Sequence, residues 1–159
     1  RTLQQLVVDG ELDLAFSVPP VQSRSIASLV LLRDAFVLLR PRVLAGKPLD
    51  LTGRALVAFE PCTSQRAVEE RLQEIGLDPG QVTRLEDTAT IHAFVESGAA
   101  DALIPRLALL DADVDAHPLP DLPHRTVLLI WQADRALPPE VSRFVELAVE
   151  AAGRLSPQP

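Results

Sequence analysis

Gly10-Glu11-Leu12-Asp13-Leu14-Ala15-Phe16 and Gly98-Ala99-Ala100-Asp101-Ala102-Leu103-Ile104 carry one pattern: a glycine, an aspartate three residues later, and a short apolar run ending near proline. Upstream of each glycine the apolar spacing is helical, with Leu3, Leu6 and Val7 before the first and Ile91, Phe94 and Val95 before the second. Each copy therefore reads as helix, glycine stop, strand. Two such units far apart in one chain predict two similar α/β lobes, an arrangement that holds small ligands beyond the carboxyl ends of its strands.

The chain has 159 residues, 47% of them hydrophobic and 23% charged, which allows a sizeable core and argues against disorder. Its apolar runs, such as Leu29 to Leu32 and Val127 to Trp131, are too short to span a bilayer, and no basic-then-apolar signal opens it. A cytoplasmic protein without a membrane partner is expected. A net charge of −7, with Lys47 the sole lysine and the arginines scattered, argues against a nucleic-acid surface, which needs clustered cations to meet phosphates. The absence of methionine, and a start already inside a helical pattern at Arg1, lead us to expect a fragment.

Cys62 is the only cysteine, so no intrachain disulfide can form. It reads as a small buried hydrophobe, with a redox sensor at a helix start as the sharper alternative. His92, His117 and His124 have no ligand spacing among themselves or with Cys62, so no metal is expected. No nucleophile elbow, phosphate-binding glycine loop or H-E-x-x-H motif is present, so neither an enzyme nor a cofactor is expected.

Along the chain, Leu12 to Val18 reads as a strand ended by Pro19-Pro20, followed by a loop through Ser28. Leu29 to Leu32 and Ala35 to Leu39 read as extended segments around the polar break Arg33-Asp34, and Pro41 to Gly53 as a connector. Ala55 to Phe59 is a strand, Gln65 to Ile75 a helix stopped by Gly76, and Val82 to Leu85 a strand. Asp87 or Thr88 caps the helix carrying Ile91, Phe94 and Val95. Ala102 to Ile104 is a strand, Leu107 to Leu110 a helical turn, Asp111 to Asp115 a solvated bend, and Thr126 to Trp131 a strand. Pro138-Pro139-Glu140 opens a last helix with its stop at Gly153. The alternation predicts parallel sheets covered by helices.

In order and spacing, five segments resemble the effector-binding domain of LysR-type bacterial transcription regulators, itself similar to type II periplasmic binding proteins. They are DGELDLAFSVPP from Asp9, LLRDAFVLLRP from Leu31, LTGRALVAFEPCTSQR from Leu51, HAFVESGAADALIPR from His92 and VLLIWQADRALPPEVSRFVELA from Val127. Two departures stand out. Arg42-Val43-Leu44-Ala45 replaces the family's His-Pro-Leu turn, and Asp101 sits where the family strand is apolar. An acid there must find a donor or stay near water.

The resemblance implies two Rossmann-like α/β lobes with a ligand cleft between them. Residues 1–38 would belong to a first lobe, 39–130 to a second, and 131–159 would return to the first with a C-terminal helix and tail. The first lobe would be N-terminally incomplete, because the family places a strand, a helix and a strand before this point, preceded by a winged helix-turn-helix. It also implies a small-molecule effector, DNA binding only through that absent N-terminal part, a homodimer or homotetramer, and hinge crossings near Leu39 to Pro41 and Leu129 to Gln132. A transporter's solute-binding protein is the alternative on the same fold.

Within such a cleft, helix starts present unpaired N–H groups and partial positive charge. Cys62, Thr63, Ser64 and Arg66 form one junction, with an anionic effector as its guest; Ser64 as a simple cap and Arg66 as a surface partner of Glu70 are the other reading. Asp87 and Thr88 form the second, where capping is the leading reading and an amine or polyol would suit the acids if they face a ligand. Ser17, Val18 and Pro19, with Ile104 and Pro105, would complete opposite walls, or simply end their strands.

Overall fold

The computed structural model describes residues 2–59, 63–74, 82–119 and 121–155. The chain divides into two compact units, one of residues 1–34 and 126–159, the other of residues 35–125. Its crossings between units therefore lie at Asp34–Ala35 and Arg125–Thr126.

The first unit opens with α1 (Leu3–Val8), β1 (Leu14–Ser17) and β2 (Ile26–Asp34), and closes with β8 (Arg125–Gln132) and α4 (Pro139–Leu155). Among the described residues its sheet has the order β1-β8-β2, with β1 and β8 antiparallel. Val7 of α1 packs on Ala15, Ile26, Leu128 and Ile130 across one face. On β1, the alternate side chain Phe16 meets Phe144 of α4 edge to face, their ring centroids 6.3 Å apart.

The second unit contains β3 (Phe36–Pro41), β4 (Leu56–Ala58), α2 (Thr63–Glu74), β5 (Val82–Arg84), α3 (Thr88–Glu96), β6 (Asp101–Pro105) and β7 (Val114–Pro118). Its sheet runs β5-β4-β6-β3-β7. Strands β5, β4 and β6 are mutually parallel, whereas β3 is antiparallel to both β6 and β7. The parallel strands require crossovers, which α2 and α3 supply. Because side chains alternate across a strand, Phe36 and Leu38 face a core with Val68 and Leu72 of α2, while Val37 and Leu39 face one with Ile91 and Val95 of α3.

The repeated pattern survives in atomic detail. Gly10 and Gly98 both adopt left-handed backbone, φ +72° and +76°, which a side chain would strain. At each, the glycine N–H donates to the carbonyl of Val7 or Val95, and the next residue's N–H donates to that of Leu6 or Phe94. That paired pattern closes a helix and turns the chain toward the following strand.

Several expectations need correction. The second sheet is mixed rather than parallel, since the wholly buried run Phe36–Pro41 looks the same in either direction. Strand β2 begins at Ile26, before Ser28, because its alternating exposure accepts small polar residues; it continues through Arg33 and Asp34, and the break falls at Ala35. The segment read as a bend at Asp111 to Asp115 runs into β7, where Val114 is buried and Asp115 pairs with Arg40. Helix α4 passes through Gly153 to Leu155, with open space where a side chain would stand.

Asp101 is fully buried, and it has its donor: Nε and Nη2 of Arg54 reach its two carboxylate oxygens at 2.5 and 2.6 Å. Contact with this carboxylate holds the Arg54 guanidinium above its ordinary pKa, against some loss of solvation. Removing one member leaves a buried charge alone, so Arg54→Ala should destabilise the protein by about 3 kcal/mol in urea unfolding. The double change Arg54→Met with Asp101→Leu removes both charges and should cost much less. A double loss equal to the sum of the losses from Arg54→Met and Asp101→Leu made singly would show that the pair does not couple.

Candidate functional site

The candidate site is the carboxyl edge of the parallel strands in the second unit. The register sets Ala58 beside Arg84 on one side and Leu103 on the other, so β4, β5 and β6 end together there. Phe36, the first residue of β3, pairs with Pro105 at the same edge. Because α2 follows β4 and α3 follows β5, both helices begin at this edge. Helix starts carry N–H groups without partners inside the helix and aligned peptide dipoles, which makes such an edge a natural seat for acceptor groups.

An arginine ties the edge together. Arg84, the last residue of β5, makes a two-pronged contact with Glu69 of α2 at 2.7 and 2.8 Å, and donates to the carbonyl of Phe59 at 3.1 Å. The N–H of Leu85 donates to the carbonyl of Ala58 at 2.9 Å. One guanidinium thus holds α2 to the ends of two strands. Sequence reading missed this clamp, since a polar residue closing a short strand looks like an ordinary terminator. No local signal marks it, because its partners Glu69 and Phe59 lie 15 and 25 residues away in sequence.

Of the residues expected at the site, Asp87, Thr88, Ile104, Pro105 and the opening turn of α2 share this edge. Asp87 is the N-cap of α3: its carboxylate accepts from the Thr90 N–H at 2.6 Å and the Thr90 hydroxyl at 2.7 Å. Thr88 is the first helical residue and half-buried. Ile104 is wholly buried in the α3-side core and Pro105 is buried too, so this strand end offers backbone and not side chain. Thr63 and Ser64 form the first turn of α2, where Arg66 is exposed; Cys62 lies outside the described residues.

Ser17, Val18 and Pro19 stand at the end of β1 in the other unit. Ser17 and Val18 are half-buried, and Pro19 is exposed and joined to Pro20 by a cis peptide. Gln4 of α1 braces this turn by donating to the Pro20 carbonyl at 2.9 Å while accepting from the Gln22 N–H at 3.1 Å. Among the described residues no group of three or more His, Cys, Asp or Glu could hold a metal ion, and no helix is long and apolar enough to cross a membrane.

The hydrogen bonds from Thr90, side chain first and backbone second, hold the Asp87 carboxyl below its ordinary value of 3.8. A carboxyl lowered by folding stabilises the protein above its unfolded-state value and loses that contribution as pH falls through the folded value. Asp87→Ala should therefore lower the melting temperature at pH 7, and the gap to the parent protein should close as pH is taken below about 3.8. A gap independent of pH would show that the carboxylate charge adds nothing to the cap.

Comparison with known proteins gives this geometry its setting. The family model described as LysR substrate binding domain matches residues 1–153. The chain is 29% identical over 161 aligned positions to a probable nitrogen assimilation transcriptional activator of Synechococcus elongatus, covering 90% of this chain and 51% of the relative. It thus spans about half the length of that relative. Among solved structures, HinK, a LysR family transcriptional regulator from Pseudomonas aeruginosa, superposes with a TM-score of 0.81 at 18% identity, over 96% of this chain and 57% of that one. The CcmR regulatory domain of Synechocystis, solved with 2-PG, gives 0.75 at 15% identity, over 98% of this chain and 80% of that one. The fold is that of the type II periplasmic-binding-like domains. The chain belongs to the LysR substrate binding domain family.

Proposed function

We propose that this chain is the effector-sensing part of a LysR-type transcription regulator working in the cytoplasm. A small molecule is held by strand-end and helix-start groups of both units: Ser17, Val18 and Pro19 from one, and the Cys62–Thr63–Ser64–Arg66 and Asp87–Thr88 junctions with the backbone of Ile104 and Pro105 from the other. Effector binding favours one arrangement of the units over another, by no more than its differential affinity for the two. DNA is contacted by a winged helix-turn-helix outside this chain, and the regulator acts as a homodimer or homotetramer. It works by binding, without turnover or cofactor.

The observation that carries this reading is the convergence of two helix starts and three parallel strand ends on one edge, in a chain matched to this family over residues 1–153. The strand-end placement follows the general rule for open α/β sheets. That a fold neighbour is a regulatory domain solved with 2-PG supports a small polar guest. The rival, a transporter's solute-binding protein, shares the fold but not the family match or the relative named as an activator.

The test is a thermal-shift screen of the intact protein against carboxylates, amino acids, polyols, aromatic acids and 2-PG. A ligand present at a hundred times its Kd stabilises the native state by about 2.7 kcal/mol. Replacing Thr63 and Ser64 together by alanine should weaken that shift more than it lowers the unliganded midpoint. Unchanged affinity in the double variant would remove the α2 start from the site.

A further inference from the structure

We infer that Gln4 and His92 are equivalent positioning residues, each tethering the segment beyond its unit's glycine-led strand to the preceding helix, and that the His92 tether is the yielding one. The inference rests on the effector reading, because residues 17–22 and 105–110 run out of the strand ends assigned to the ligand.

The equivalence is positional and atomic. Gln4 lies six residues before Gly10, and His92 six before Gly98. Gln4 Nε2 donates to the carbonyl of Pro20, ten residues after its glycine, and Gln4 Oε1 accepts from the N–H of Gln22, twelve after. His92 Nε2 lies 3.3 Å from the carbonyl of Ala108 and 3.4 Å from the backbone nitrogen of Leu110, which stand ten and twelve residues after Gly98. The same helix position therefore addresses the same two backbone groups in both units. Shared composition alone does not require this, since neither the residue types nor the segments reached are alike.

The chemistry of the two tethers differs. A carboxamide has a separate donor and acceptor, so Gln4 makes both bonds at once. An imidazole nitrogen carries either a proton or a lone pair, so His92 Nε2 serves Ala108 or Leu110 but never both together. The ring's other nitrogen decides which. His92 is 3% exposed, and its Nδ1 has no hydrogen-bond partner among the described residues. A buried N–H without an acceptor costs more than a buried lone pair without a donor. The proton therefore sits on Nε2, the ring donates to Ala108, and the Leu110 N–H has no acceptor on the ring. The helix side chain thus gives segment 105–110 one long bond at Ala108 where it gives the counterpart segment two, while the Arg106 N–H separately donates to the Ala35 carbonyl at 2.8 Å. The end of that segment, at Ala108 to Leu110, is accordingly the part of the second unit's wall that adjusts to the shape of an effector.

Amide hydrogen exchange and imidazole nitrogen shifts, read by NMR on the intact protein without any effector, test this. The ring should show the Nε2-protonated form, and the Leu110 amide should exchange faster than that of Gln22 after correction for intrinsic rates. His92→Gln, which installs the other unit's chemistry, should slow exchange at Leu110 about five- to tenfold and leave Gln22 unchanged. Gln4→His should speed exchange at Gln22 by a similar factor. A ring protonated on Nδ1, with Leu110 as well protected as Gln22, would overturn the inference even if neither variant folds. So would His92→Gln with unaltered exchange at Leu110. These readouts need no ligand, so a failed effector screen would sink the effector reading while leaving the tether result intact.

Discussion

A helix that stops and turns straight into a buried strand leaves carbonyls that need donors, and the left-handed glycines at positions 10 and 98 are where the chain meets that need. The turn fixes the distance between the last buried helix residue, Val7 or Val95, and the first strand residue, so helix and strand pack as one piece. The environment of that piece then depends on its place in the sheet. In the first unit the strand lies at the margin of the described sheet, and Asp13 is half-exposed beside Arg135 at 3.2 Å. In the second, β6 is flanked by β4 and β3, and the matching Asp101 has no contact with water at all. One local motif thus gives a surface ion pair in one unit and a buried one in the other.

Periodicity made most elements legible because their burial is one-sided. Helix α3 buries Ile91, His92 and Val95 on one face, and a 3.6-residue pattern reports that directly. What escaped is what periodicity cannot encode. Strand β7 was hidden by its acids, because Asp115 tolerates its place only through Arg40, 75 residues earlier in the chain. Strand β3 is buried on both faces, so its run of apolar residues carries no mark of direction. The candidate site was legible as helix starts and strand ends, which are local features. Its braces, Arg84 with Glu69 and Gln4 with the Pro20 turn, join segments far apart in sequence and had no local signature.

The placement of charge within the second unit separates holding the fold from meeting a ligand. Asp101 opens β6, so its pair with Arg54 lies at the amino edge of the parallel strands. Arg40 lies near the end of antiparallel β3, which brings it to the same edge, where it binds Asp115 at 2.6 Å and the carbonyls of Lys47 and Pro48. An ion pair with a buried member is rigid, since losing the partner strands that charge away from water. Two such pairs stiffen the edge remote from the candidate site. The carboxyl edge is built differently: its polarity comes from backbone at two helix starts, from the Asp87 cap and from one guanidinium that reaches a carbonyl as well as a carboxylate. Backbone donors cannot be removed by substitution and carry no net charge. Guest specificity at such an edge is set by the few side chains around it and by how firmly the adjoining segments are held, so closely similar folds can take chemically different guests.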